Sequence, residues 1–199
     1  MRCLNICWKV FLAGLLLAVP SVNSAQNANT PRSSITIHAY KSGLLSGLGH
    51  NHTITAPIAH GTIDTKKMSV EISVSTKQMK VVDAEVPDST RAEIQADMVG
   101  PKVLDTDKYP EIRFQSSRVE QTAPQHYRVT GTLSLHGASK ELSFEVTGGP
   151  DRYQGKVKLN QTDFGIKPVT VAGGTIKVKN EVLLDLDIYA AEMTNGNRR

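Results

Sequence analysis

The chain has 199 residues, of which 39% are hydrophobic and 21% charged, with a mean hydropathy of -0.25. That balance excludes a polytopic membrane protein and a mainly disordered chain, and fits one soluble domain. A formal charge of +4, with no Lys/Arg run longer than two, excludes a basic nucleic-acid footprint, so no nucleic acid is expected as a partner.

Residues 1–24 read as a secretory signal peptide. Arg2 and Lys9 give a positive start, Val10 to Val19 is apolar, Pro20 breaks the run, and Val22-Asn23-Ser24 suits cleavage after Ser24. The apolar run is too short to span a ~30 Å hydrocarbon core, which needs about 20 residues. The expectation is export to the periplasm or the medium, with no stable membrane insertion after cleavage. Cleavage also removes Cys3 and Cys7, so the mature chain has no cysteine nucleophile or metal ligand.

Residues 25–34 are rich in Asn, Ser, Thr and Pro and are expected as a disordered leader. A barrel domain is expected over 35–191. Ser34–Tyr40, Met68–Ser75, Ile112–Gln115, Tyr127–Leu135, Leu142–Val146, Lys156–Leu159, Ile176–Lys179 and Val182–Tyr189 all alternate apolar with polar residues. Strict alternation means one buried and one wet face, which is the antiparallel pattern. Short glycine-bearing links (Gly137-Ala138-Ser139, Gly148-Gly149-Pro150, Gly173-Gly174) leave no room for crossover helices. The fold class is therefore all-β: about eight antiparallel strands forming a curled sheet or an up-and-down barrel, of which the barrel leaves no open edge. One short helix is expected over Pro87–Met98, with Thr90-x-x-Glu93 in the form of a capping box and Gly100-Pro101 as its stop. Residues 192–199 are polar and expected as a disordered tail.

Parity assigns the barrel lining. Ile72 and Val74, Leu133 and Leu135, Val157 and Leu159, and Leu184 and Leu186 should face inward as ligand-binding residues. Only 5% of residues are aromatic, so few large side chains are available to plug an eight-stranded barrel.

The polar features carry less chemistry. His38, His50, His52 and His60 cluster in sequence, and His50 and His52 share a face if that segment is a strand. Two imidazoles suit a metal or haem, but the spacing is looser than a zinc signature and no acidic residue lies between His38 and His60. The favoured role for His50 and His52 is contact with a ligand head group, beside the apolar loop Ser42–Gly49 at the barrel mouth. Asp185 and Asp187 alternate with Leu184 and Leu186 as a wet face, and Asp105-Thr106-Asp107 reads as a turn. No Gly-x-Ser-x-Gly or other catalytic constellation is present, so the chain is not read as an enzyme. No cofactor and no metal site are called for.

A family resemblance enters in the second half. Lys108-Tyr109-Pro110-Glu111-Ile112-Arg113-Phe114-Gln115-Ser116, Val129-Thr130-Gly131-Thr132-Leu133-Ser134-Leu135-His136-Gly137 and Asn160-Gln161-Thr162-Asp163-Phe164-Gly165-Ile166 resemble, in order, three motifs of the YceI-like family. The resemblance implies an eight-stranded antiparallel up-and-down barrel, lipocalin-like in shape, that holds a polyisoprenoid or similar amphiphilic lipid, and it implies bacterial export. Where that family's helix carries an aromatic pair, this chain has Met98-Val99-Gly100, a change at positions that would select the ligand. The expected function is thus a periplasmic or secreted protein that carries or sequesters an amphiphilic isoprenoid lipid or quinone-like ligand, with a homodimer as one assembly the sequence allows. The alternatives are an envelope protein–protein interaction module with a filled barrel and, ranked lower, a histidine-dependent metal- or haem-binding protein.

Overall fold

A computed structural model describes residues 25–28, 30–44, 46–149 and 151–190. The predicted signal peptide and tail lie outside the described residues. The strands are β1 (Ala25–Asn27), β2 (Ser34–Ser42), β3 (His52–Asp64), β4 (Ser69–Ser75), β5 (Lys80–Val81), β6 (Glu111–Ala123), β7 (His126–Leu135), β8 (Ala138–Gly149), β9 (Arg152–Asn160), β10 (Thr170–Val171) and β11 (Ile176–Tyr189), with helix α1 (Asp88–Val99) between β5 and β6. Eight long strands form a closed antiparallel barrel in the order β3-β2-β11-β9-β8-β7-β6-β4, and β4 closes back on β3. This is the expected up-and-down architecture. Neighbours in the barrel follow chain order, apart from the short β5 and β10 inserted in the connections.

Register explains which residues meet inside. Leu184 of β11 pairs with Val157 of β9 on one side and Ile37 of β2 on the other. Phe114 of β6 pairs with Ile72 of β4 and Leu133 of β7. Paired residues point to the same face of an antiparallel sheet. The tight β7–β8 turn is built from His136 (φ 52) and Gly137 (φ 77), both left-handed, as a two-residue hairpin requires. A Cβ at Gly137 would lie 2.7 Å from the Tyr109 ring, so the position needs glycine for space as well as for φ.

Four features differ from the sequence expectations. Strand β3 was not among the expected strands, because Pro57 and Gly61 interrupt its alternation. Pro57 is tolerated because it sits where β3 changes partners: its β2 pairing ends there, and its β4 pairing begins at Ile58. The two expected strands at 176–179 and 182–189 are one strand, β11, with a register shift between Val178 and Val182. The stretch 25–34, expected as disordered, holds β1, which pairs with β3 from Ala25↔Asp64 to Asn27↔Thr62. The missing side chain of Gly61 makes room there, since a Cβ would come within 2.8 Å of Ala28. Finally, α1 begins at Asp88 after Pro87, so Thr90 lies in its first turn and caps nothing. Arg91 instead ties this turn down, pairing with Asp88 and donating to the Asp83 carbonyl at 2.8 Å.

The barrel thus has two unlike ends. At the helix end, α1 packs through Met98, Ile94 and Val99 against Ile54, Ala56, Val74 and Val81. At the opposite end, called here the hairpin end, Ala28, Ile58, Ile63 and Ile188 form a small cluster under β1.

Candidate functional site: a two-chambered apolar lumen

The barrel is hollow. Small inward residues help explain why: Ala39 and Ala56 line the lumen where larger side chains would fill the axis. A cavity of about 470 Å³ occupies the helix end and one of about 290 Å³ the hairpin end. Ile35, Ile72, Phe114, Leu133, Leu159 and Leu184 line both, so they form a girdle between two chambers of one lumen. Gly131 seats the girdle's largest member, since a Cβ there would fall 2.6 Å from the Phe114 ring. Phe144 meets Phe114 at 5.4 Å between centroids, a tilted aromatic pair on the wall.

The structure places all eight predicted aliphatic residues on the lumen wall. Val74 and Leu135 line the helix-end chamber, and Val157 and Leu186 the hairpin-end chamber. Ile72, Leu133, Leu159 and Leu184 belong to the girdle. A hollow interior corrects the premise of a filled barrel.

The histidines are not one cluster. His50 and His52 both line the helix-end chamber, His50 exposed and His52 half-buried. His38 lies on the outer surface, 3.1 Å from Asp185, and His60 is exposed. Among the described residues, no group of three or more His, Cys, Asp or Glu side chains is placed to hold a metal ion. What holds His52 is Asp83, which the sequence reading missed. Its carboxylate is almost fully buried, accepts from the Thr53 backbone N–H at 2.6 Å, and lies 2.8 Å from His52 Nδ1. An ionised carboxylate only accepts, so Nδ1 carries the hydrogen and Nε2 is left as the ring's free polar atom. Asp83 lies 31 residues from His52, and no local pattern marks it.

The outer carboxylates are structural. Arg152 grips Asp187 with two hydrogen bonds of 2.6 and 2.8 Å, and this holds the Asp187 carboxyl below its usual range. Asp185 lies between His38 and Lys156, as a wet strand face would have it. The hairpin-end chamber has its own polar fringe in Tyr127 and Tyr153, whose rings meet edge-on at 6.0 Å. Desolvation raises the Tyr153 hydroxyl above its ordinary value, reinforced by Tyr127 and Asp151. The parity list did not include these tyrosines, although they continue the inward rows of β7 and β9.

Comparison with known proteins matches this architecture. A family model described as the YceI-like domain matches residues 27–190. A UPF0312 protein of Pseudomonas putida is 30% identical over 171 residues, covering 76% of this chain and 79% of the relative. A UPF0312 protein of Pseudomonas syringae pv. tomato is 27% identical over 144 residues, covering 65% and 72%. Among solved structures, Burkholderia cenocepacia BcnA has a TM-score of 0.58 at 15% identity, covering 82% of this chain and 99% of that one. At that identity the likeness concerns the fold. No helix among the described residues is long and apolar enough to cross a membrane.

Proposed function

The chain belongs to the YceI-like family, and from that premise we propose that it carries or sequesters an amphiphilic lipid of the polyisoprenoid or quinone-like class, in the periplasm or outside the cell. The observation that supports this reading is the pair of apolar chambers inside the barrel, walled by Ile, Leu, Val and Phe and sharing a girdle of six side chains. A chain burying ~400 Å² there would gain roughly 10 kcal/mol at about 25 cal/mol per Å², before the costs of association. The polar groups sit at the chamber ends, where a head group would stop. His52, oriented by Asp83, offers Nε2 as an acceptor for a hydroxyl, and His50 stands beside it at the lip. The role is binding and release, with the ligand leaving unchanged.

The test is native mass spectrometry and organic extraction of protein purified from a host that makes polyprenyl lipids. A co-purifying polyprenyl lipid, or uptake of a polyprenol added in detergent, is the expected result. Neither in the parent protein removes the carrier reading.

A further inference from the structure

We infer that the helix end of the barrel docks on an anionic lipid surface, through the loop between β2 and β3 and the segment around β10. All five exposed large apolar side chains among the described residues lie at this end: Tyr40, Leu44, Leu48, Val82 and Val171. The exposure is not marginal, at 94% for Leu44, 74% for Leu48 and 51% for Val171. Scattered exposed apolar residues are ordinary, but their collection at one opening of an apolar cavity is not. Leu48 and Val171 also line that cavity, so the exposed patch meets the lumen wall.

The charge around the patch selects the surface. Lys41 and Lys177 line the same chamber, and Lys179 Nζ stands 6.0 Å from the centre of the Tyr40 ring. Lys167, Lys177 and Lys179 are exposed, and none of these four lysines has a carboxylate partner among the described residues. The nearby Lys77, Lys102 and Lys158 are each paired, with Asp107, Asp97 and Glu181. Lys41 Nζ donates to the Gly49 carbonyl at 2.8 Å, which holds its charge at the β2–β3 loop. Apolar side chains that can enter the acyl boundary, ringed by ammonium groups with no carboxylate partner, match an anionic bilayer surface. Acidic Asp88, Glu93 and Asp97 belong to α1, and Asp97 is paired with Lys102, so the docked molecule turns the β2–β3 loop and β10 toward the bilayer and α1 away from it. A second copy of the chain is disfavoured, because a symmetric contact would set the same uncompensated positive charges against each other. Seated this way, an apolar chain passes from bilayer to lumen past Leu48 and Val171 without crossing water. Passage rests on the carrier reading, whereas adsorption does not.

The experiment is flotation of the exported chain with vesicles of phosphatidylcholine alone or mixed with phosphatidylglycerol. It compares the parent with a Leu44→Ser/Lys179→Glu double variant, neither residue being part of the lumen lining. Loss of one lysine contact should weaken adsorption about fivefold, and reversing its charge and removing Leu44 should bring the loss to tenfold or more. The parent is expected to float with the anionic vesicles, to stay behind with phosphatidylcholine alone, and to detach in high salt. The double variant should stay behind with both, yet still take up geranylgeraniol presented in detergent, read by native mass spectrometry. No flotation of the parent, or equal flotation of parent and variant, overturns docking whatever the uptake shows. A parent that is dimeric by light scattering, with a monomeric double variant, also overturns it and assigns the patch to self-association. Flotation without any geranylgeraniol uptake leaves docking standing and removes the carrier reading instead.

Discussion

The two ends of the barrel are built on different terms. At the hairpin end the connections are minimal: β6 and β7, and likewise β8 and β9, are each separated by two residues, and β3 and β4 by a short turn. Charges there are paired, Arg152 with Asp187, Arg128 with Glu145 and Lys67 with Asp64, and β1 braces the wall. At the helix end three of the four connections are long, 43–51, 76–110 and 161–175. They carry α1, Asp83, the exposed Leu44 and Leu48, and Lys167, while His52, Lys41, Lys177 and Lys179 stand on the strand ends that these connections join. Short hairpins fix register and leave no atoms to spare for other work. Long connections are released from register, so chemistry accumulates on them.

The largest expected effect tests whether the long connections are nonetheless part of the fold. Phe164 is 1% exposed in the turn 161–164, which closes the floor of the helix-end chamber. It packs with Leu133, Val157 and Leu159, and His136 Nδ1 lies 3.1 Å from its carbonyl. Phe164→Ala should cost about 3–5 kcal/mol in urea denaturation, as a large buried aromatic does. A loss below about 1 kcal/mol would mean this floor can detach, and that only the hairpin end holds the barrel closed.

Unequal legibility in the sequence follows the same divide. Parity located the wall because alternation is a local signal, and Ile72, Leu133, Leu159 and Leu184 were readable without knowing their neighbours. Strand β3 was hidden because Pro57 and Gly61 spoil its period, and only the partner change around Pro57 and the close approach at Gly61 make sense of them. Asp83 was invisible for a different reason. A carboxylate in a loop is read as solvated, and its burial comes from α1, through Arg91 on its carbonyl, and from Thr53 and His52 on its side chain. The division into two chambers was also beyond reach, since Phe114 becomes a girdle residue only by lying over Gly131.

Blocking each chamber separately sharpens the comparison further. Leu135 lines only the helix-end chamber and Val146 only the hairpin-end chamber. Leu135→Trp should lower polyprenol uptake at least tenfold, about 1.4 kcal/mol, while the fold survives because the new ring enters empty space. A long chain threading the girdle should be excluded equally by Val146→Trp. A ligand confined to the helix end should ignore that variant. Uptake by Leu135→Trp equal to the parent would remove that residue from the binding surface.

A smaller effect is expected from Asp83→Asn. The amide oxygen can still accept from the Thr53 N–H, while its NH2 now donates to His52 Nδ1. Both hydrogen bonds survive, but the ring hydrogen moves to Nε2, which changes from acceptor to donor in the neutral imidazole. A polyprenol hydroxyl can turn and accept from Nε2–H, so its binding should change little, whereas carbonyl-headed quinones, which only accept, should gain several-fold, about 1 kcal/mol. Competition between the two ligand types in one native mass spectrum reads the exchange. An unchanged ratio would place the head group away from His52, at the hairpin end.

The smallest effect lies at the hairpin end, on Tyr153. Desolvation, then Tyr127 and Asp151, hold its hydroxyl above the ordinary value near 10. The folded pKa therefore exceeds the unfolded one. The neutral phenol's contribution to stability is complete below about pH 10 and is lost as pH rises through the folded value. The side chain is only partly buried, so solvent screens much of the shift and the loss should be modest. Tyr153→Phe should remove that part of the alkaline slope in urea denaturation, leaving the neutral-pH stability close to that of the parent. Ultraviolet titration of tyrosinate then turns this residue into a reporter of occupancy. A chain that reaches through the girdle adds apolar neighbours to Tyr153 and must raise its pKa further, whereas a ligand held in the helix-end chamber leaves the titration where it was. If lipid loading shifts the parent titration and Val146→Trp abolishes the shift, the two chambers act as one binding site. If loading is stoichiometric and the titration stays fixed, the hairpin end is scaffold alone.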